Sequence, residues 1–239
     1  MENRFLEGRT AVVTGGTRGI CFAIAGALAG AGASVAICGR TQAGLEDAIR
    51  RLMSVPGSKV MGKDADVRSS TEVAELFDWV DRELGGPDVV VNNAGIGIFR
   101  SVADLTVKEW QNTLETNLSG PFYCSREAVE RMRKRGGGYI VNVGSLAGVN
   151  AFAGGAAYNA SKFGLNGFSE ALMLDHRYDN IRVTHIMPGS VDTEFSSRSG
   201  KSDWKIAPED IAEIVLMLLR MPERTLVSRV DVRPSKPRK

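Results

Sequence analysis

The chain offers little that would tie it to a metal, a membrane or a nucleic acid. Its soft metal ligands amount to two histidines, His176 and His185, and three cysteines, Cys21, Cys38 and Cys124. None falls at ligand spacing, so no metal site is expected. The cysteines are odd in number, far apart and set among apolar residues, which reads as reduced core thiols of a cytoplasmic protein rather than a disulfide framework. No apolar run approaches the ~20 residues that cross a bilayer. Nor does a signal peptide precede the strand-like Thr10-Ala11-Val12-Val13. A soluble, cytoplasmic protein with no membrane partner is expected. The formal net charge is only +2 and is spread along the chain, giving no general reason for a nucleic-acid partner. One local exception, the basic and proline-rich tail 233–239, reads as a solvated terminus.

No low-complexity linker or internal repeat divides the 239 residues, so a single domain spanning 1–239 is expected. Glycine is plentiful, at 27 residues, and it punctuates the sequence. Thr10 to Thr14 is a short β-branched run ending in Gly15-Gly16-Thr17-Arg18-Gly19, followed by an alanine-rich helical stretch from Ile20 to Ala29. Strand, glycine turn and helix in that order open a dinucleotide-binding unit. Further strands are expected at Ser34–Cys38, Lys59–Gly62, Asp88–Val91, Tyr139–Val143, Ile181–Ile186 and near Val230. Helices are expected over 42–53, 70–84 (capped by Ser70 or Thr71), 107–135 with a break near Gly120-Pro121, a segment through Tyr158 and Lys162 to about Tyr178, and 208–220.

Strands alternating with helices predict an α/β fold, a single-domain Rossmann-type doubly wound parallel sheet of about seven strands with helices on both faces. Ligands of such sheets sit beyond the carboxyl ends of the strands. The residues gathered there are the glycine turn, Asn92-Asn93-Ala94-Gly95, Ser145 and Pro188-Gly189.

Tyr158 and Lys162 stand four apart, one above the other on a helix face, with Cβ atoms about 5–6 Å apart. An ammonium about 4 Å from the phenol is worth on the order of 4 kcal/mol at an effective dielectric of 20. That predicts a Tyr158 pKa lowered by up to about three units, toward neutrality, where a general acid works best.

The order Thr14-Gly15-x-x-x-Gly19, Asn92-Asn93-Ala94-Gly95, Asn117, Ser145, Tyr158-x-x-x-Lys162 and Pro188-Gly189 resembles the short-chain dehydrogenases/reductases from about residue 7 to 190. The resemblance implies roles residue by residue. Gly15, Thr17, Arg18, Gly19 and Ile20 would hold a pyrophosphate at a helix N-terminus. Asp66 and Val67 would meet the adenine, and Asn93, Ala94 and Gly95 would line the cofactor. Ser145 would stabilise the carbonyl oxygen. Tyr158 would exchange a proton with that oxygen, and Lys162 would tune Tyr158 and bind the nicotinamide ribose. Asn117 would hold a water joining Lys162 to solvent, and Pro188, Gly189, Val191 and Thr193 would abut the nicotinamide amide.

Two departures accompany the resemblance. Cys21 stands where the family usually has a third glycine, which predicts weaker cofactor binding or a slightly displaced helix. The common Asp-Gly-Gly ending is replaced by Val230-Asp231-Val232-Arg233-Pro234. The acidic residue that would accept bonds from an adenosine ribose is absent, and Cys38-Gly39-Arg40 stands at the end of the second strand. With no carboxylate to repel a 2′-phosphate, and with Arg40 and Arg18 able to receive one, NADP(H) is the expected cofactor in preference to NAD.

The function expected is hydride transfer between NADP(H) and a small ketone, aldehyde or secondary alcohol, in general resembling 3-oxoacyl-carrier-protein reductases and broad carbonyl reductases. The alternative is a nucleotide-binding scaffold or sensor that kept the fold and lost turnover. Residues 190–205, with Phe195 and Trp204 as the large apolar members, would cover a small-molecule substrate. A homodimer or homotetramer is expected, built on the helix carrying Phe163, Leu165, Phe168, Leu172, Met173 and Leu174 together with Ala128, Val129 and Met132.

Overall fold

Short β-branched runs bounded by glycine or turn residues form seven strands: β1 (Thr10–Thr14), β2 (Ser34–Gly39), β3 (Lys59–Asp64), β4 (Val89–Asn92), β5 (Gly138–Val143), β6 (Ile181–Pro188) and β7 (Arg229–Val232). The computed structural model describes residues 4–54, 57–195 and 203–237. The strands pair in parallel in the order β3-β2-β1-β4-β5-β6-β7. The chain therefore winds outward from β1, returns to place β4 beside it, and winds outward the other way. A crevice opens where the direction reverses.

Successive side chains of a strand point to opposite faces, and each face is covered by helices. Ala11 and Val13 of β1 pack toward α1 (Gly19–Gly30), α2 (Gln42–Leu52) and α7 (Pro208–Arg220), through Ile24, Leu45 and Val215. Val12 packs the other way, toward α3 (Ser70–Leu84), α5 (Gly120–Lys134) and α6 (Ala156–His176), through Phe77, Met132 and Leu172. A shorter helix, α4 (Val107–Leu114), precedes α5.

The helical stretch after residue 107 is not broken at Gly120-Pro121 as expected. Five residues of π-helix, Glu115–Ser119, join α4 to α5, and the Gly120 N–H reaches back to the Glu115 carbonyl. Pro121 has no N–H to return to the Asn117 carbonyl, so the wider turn absorbs the missing bond and the helix continues. The cap of α3 also differs by a residue: the Ser69 hydroxyl, not that of Ser70 or Thr71, accepts from the Glu72 N–H at 3.3 Å. Asp88 lies just outside β4, its carboxylate accepting from the Thr10 N–H at 2.8 Å.

A polar ladder ties the layers together beneath the crevice. Asn92 and Asn142 are register partners at the ends of β4 and β5. Asn92 Nδ2 donates to Asn142 Oδ1 at 2.9 Å and to Ser125 Oγ on α5 at 3.1 Å, and Asn142 Nδ2 donates to Ser169 Oγ on α6 at 2.9 Å. These buried bonds fix the height of α5 and α6 against the strands, and with them the positions of the residues above.

The apolar band expected to form an interface divides into two parts. Leu165 and Leu172 face the sheet, as do Ala128, Val129 and Met132, which are buried in the core and have no surface to offer a partner. Phe163 and Leu174 stay exposed, joined by Phe122 of α5.

Candidate active site

The turn from β1 into α1 depends on bare backbone. Gly15 has φ +73°, and a Cβ there would lie 3.0 Å from the Ala94 Cα; Gly19 has φ +56°. Both conformations favour glycine. Arg18 is the N-cap of α1 and makes no side-chain cap bond. The first N–H groups of α1, around Gly19 and Ile20, are thus left to a ligand, a ready anion site. Across the crevice, the Thr14 hydroxyl accepts from the Asn93 and Ala94 N–H groups at 3.1 Å each, clamping the end of β4 to the end of β1.

A cavity of about 890 Å³ follows these strand ends. Gly15, Thr17, Arg18, Gly19, Ile20, Arg40, Asp66 and Val67 line one side of it, and Asn93, Ala94 and Gly95 its floor. Ser145, Tyr158, Lys162, Pro188, Gly189, Val191 and Thr193 line the rest. An extended groove with glycine cradles and free helix N–H groups fits a dinucleotide. Asp66 is not a lone solvated carboxylate: Arg68 donates to it through Nε at 2.9 Å and Nη2 at 2.5 Å, and the guanidinium holds its pKa below the usual carboxylate range. Arg18 meets Glu194 at 3.6 Å, both exposed, whereas Arg40 makes no ion pair among the described residues.

Ser145 ends the segment after β5 and caps a short 3₁₀ turn, its hydroxyl accepting from the Ala147 N–H at 3.1 Å. α6 brings Tyr158 against it. Burial raises the Tyr158 pKa, and the neighbouring Ser145 hydroxyl offsets part of that rise. The expected fall toward neutrality is therefore corrected. Lys162 lies with Nζ 5.8 Å from the Tyr158 ring centroid and donates to the Val143 carbonyl at 3.2 Å, so its charge is not spent on the phenol. Burial instead pushes the Lys162 pKa down to about 8, with a smaller opposing influence from Cys21.

Asn117 is the one expected site residue whose side chain does not line the cavity. Its Oδ1 accepts from the Ile96 N–H at 2.8 Å, and its Nδ2 donates to the Ile96 carbonyl at 2.9 Å and to Ser161 Oγ at 3.1 Å. The side chain thus braces the loop after β4, and the Asn117 backbone carbonyl lies within the π turn, four residues before Pro121. Cys21 is buried but is not simply a core thiol: it lines the cavity and accepts a hydrogen bond from Asn93 Nδ2. Burial pushes its pKa up to about 12, so the thiol stays protonated. α1 begins at Gly19 with this side chain accommodated.

The family model for short chain dehydrogenases matches residues 9–204. The chain belongs to the short-chain dehydrogenase/reductase family. It is 34% identical over 225 residues to a 3α-hydroxysteroid dehydrogenase of Mediterraneibacter gnavus, covering 89% of this chain and 90% of the relative. Among solved structures, an alcohol dehydrogenase of the archaeon Thermococcus sibiricus complexed with 5-hydroxy-NADP superposes with TM-score 0.90 at 30% identity, over 97% of this chain and 98% of the other. A metagenomic short-chain oxidoreductase in complex with NADP gives TM-score 0.86 at 33% identity, over 97% and 99%.

Several residues of this short-chain dehydrogenase that shape the site carry no sequence signal of their own. Phe99 and Phe152 join Phe195 beside Tyr158. The loop after β6 arches toward the glycine turn, so that a Cβ on Gly19 would lie 3.3 Å from Thr193 Cγ2. The expected covering loop is described only at its two ends, because 196–202 lie outside the described residues. Residues 238 and 239 of the expected tail also lie outside them. Arg233 is exposed as expected, although it lines the cavity; Pro234, expected to be solvated, instead packs against Gly189 just after β6 and lines the cavity too.

Proposed function

We propose that this oxidoreductase transfers hydride between NADP(H) and the carbonyl carbon of a ketone or aldehyde, or the corresponding alcohol, through Ser145, Tyr158, Lys162 and Asn117. The observation that carries the reading is the convergence of Ser145, Tyr158 and the buried Lys162, from two different elements, on the wall of one dinucleotide-sized cavity. The NADP-bound structural relatives and the hydroxysteroid dehydrogenase support the same chemistry.

The bound cofactor supplies the hydride. Ser145 donates to the substrate oxygen as negative charge grows there, and Tyr158 gives that oxygen its proton. A neutral, partly buried phenol is the right starting state for a donor, and the Lys162 cation stabilises the phenolate as it forms. Lys162 would also reach the nicotinamide ribose, and the Asn117 carbonyl, which Pro121 has no N–H to meet, would hold a water behind it. Thr17, Gly19 and Ile20 hold the pyrophosphate, Arg18 and Arg40 the 2′-phosphate, Asp66 and Val67 the adenine, and Pro188, Gly189, Val191 and Thr193 the amide. Tyr158→Phe keeps the ring and removes the proton, so NADPH oxidation by carbonyl substrates should fall about 10²- to 10⁴-fold with an unchanged melting temperature. Wild-type turnover in that variant refutes the assignment.

A further inference from the structure

Three loops, each following a different strand, deliver one phenylalanine apiece to the cavity: Phe99 and Phe195 meet the Tyr158 ring, and Phe152 meets Phe99. Phe99 comes from the segment after β4, Phe152 from the segment after β5 and Phe195 from the segment after β6. The Phe99 centroid lies 5.5 Å from that of Tyr158 with the planes at 75°, and 5.7 Å from that of Phe152 at 54°. Phe195 stands 5.9 Å from Tyr158 on another side, at 49°. Gly97 makes the convergence possible, because a Cβ there would fall 2.7 Å from Phe99 Cζ and 2.8 Å from Phe195 Cε1.

The rings form a cup, not a closed core: Phe99, Phe152 and Phe195 are 49%, 46% and 45% exposed. A cluster of half-exposed aromatic rings at a cavity mouth is unfavourable in water and is the surface a ligand covers. Ring pairs at such distances and inclinations still have edges and faces to offer a further ring. Among the described residues no charged side chain belongs to the ring cluster itself: Lys162 is buried, with Nζ 5.8 Å from the Tyr158 centroid, and Arg233 meets Asp231 at 3.8 Å. Arg18, Arg40 and Asp66 lie at the ends of the strands that would receive the adenosine half, Glu194 is drawn to Arg18, and Arg100, beside Phe99, is tied to Glu109 at 2.9 Å.

We infer that the substrate is an uncharged carbonyl compound bearing an aromatic ring beside the carbonyl, bound with its ring among Phe99, Phe152 and Phe195. The inference rests on the carbonyl-reductase reading above. In the forward direction the carbonyl carbon gains a hydride from NADPH and the oxygen gains the Tyr158 proton, giving the secondary aryl alcohol and NADP⁺. Among the described residues a carboxylate such as pyruvate finds no cation within the ring cluster to replace its lost hydration, and a linear chain presents no face to the rings.

Acetophenone and 2-octanone have equal numbers of heavy atoms and separate ring recognition from size. The wild-type enzyme with NADPH should show a kcat/KM at least tenfold higher for acetophenone than for 2-octanone or pyruvate. Phe99→Ala and Phe152→Ala should each cut the acetophenone value at least threefold more than they cut the 2-octanone value. Tyr158→Phe, which retains the ring, loaded with NADP⁺, should bind acetophenone at least fivefold more tightly than 2-octanone by ligand-observed NMR. Binding of acetophenone that is absent, or no tighter than that of 2-octanone, overturns the inference even if the enzyme reduces other carbonyls. Selective binding without turnover of any carbonyl by the wild type supports the cup and overturns the proposed reaction instead.

Discussion

Acidification offers a quantitative test of how β6 is packed beneath the site. His185 is buried, its ring so close to Gly144 that a Cβ on that residue would lie 2.0 Å from Nε2, which has no hydrogen-bond partner. Burial holds its pKa down at about 4 from 6.5; Lys162 of α6 and Arg229 of β7 push the same way, and Asp231 of β7 opposes them weakly. Between pH 6.5 and 4 the unfolded chain takes up a proton that the folded one refuses, so stability is lost as pH falls through that window. At 1.36 kcal/mol per pH unit the whole gap is worth roughly 3 kcal/mol, of which about 2.5 is gone by pH 4.5. Urea unfolding at one protein concentration, at pH 7 and pH 4.5, should show the wild type losing about 2.5 kcal/mol more than His185→Leu. An m-value near 3 kcal/mol/M turns that into a midpoint difference of ~0.8 M. Equal losses in the two proteins would mean that His185 titrates freely and that the packing against Gly144 does not exclude its charge.

Lys162 follows the same sign in a higher window: with its pKa lowered from 10.5 to about 8, the folded state carries a penalty in full below pH 8 that is relieved as pH rises toward 10.5. Lys162→Met should thus stabilise the protein at pH 7 by ~2 kcal/mol, roughly 3 from the removed penalty less about 1 for the orphaned Val143 carbonyl, while turnover collapses; a lower melting temperature would contradict this. Arg40→Leu should reduce the preference for NADPH over NADH in kcat/KM by about tenfold to a hundredfold, a charge-assisted contact of ~1.5–3 kcal/mol. Arg18→Leu should do less, because Glu194 already competes for that guanidinium. Gly39→Asp is the poorer probe, since its Cβ would meet Thr17 Cγ2 at 3.0 Å. With Phe122, Phe163 and Leu174 exposed on neighbouring helices, light scattering at micromolar concentration should report at least twice the 25.7 kDa chain mass, and Phe163→Glu should lower it.

The sequence by itself determined the fold and named the candidate site residues. Alternating β-branched runs and helical stretches, with glycine at Gly15 and Gly19 where φ is positive, specify a doubly wound parallel sheet, because local backbone chemistry and periodicity are written residue by residue. A family pattern spread over successive strand ends then marked Ser145, Tyr158 and Lys162, which the fold brings to one cavity. Tertiary structure decided whatever depends on what surrounds a side chain. The four-residue spacing of Tyr158 and Lys162 implied a lowered phenol pKa, but burial, set by distant segments, raises it, and the Lys162 ammonium donates to the Val143 carbonyl. Asn117 proved to be a brace for the loop at Ile96, since only the packed π turn shows which atoms its amide satisfies. Ala128 and Met132 look like any apolar helix residues until the sheet they cover is in place. The phenylalanine cup is the extreme case: Phe99, Phe152 and Phe195 are far apart in the chain and share no spacing rule, and they meet because parallel strands deliver all their following loops to one edge.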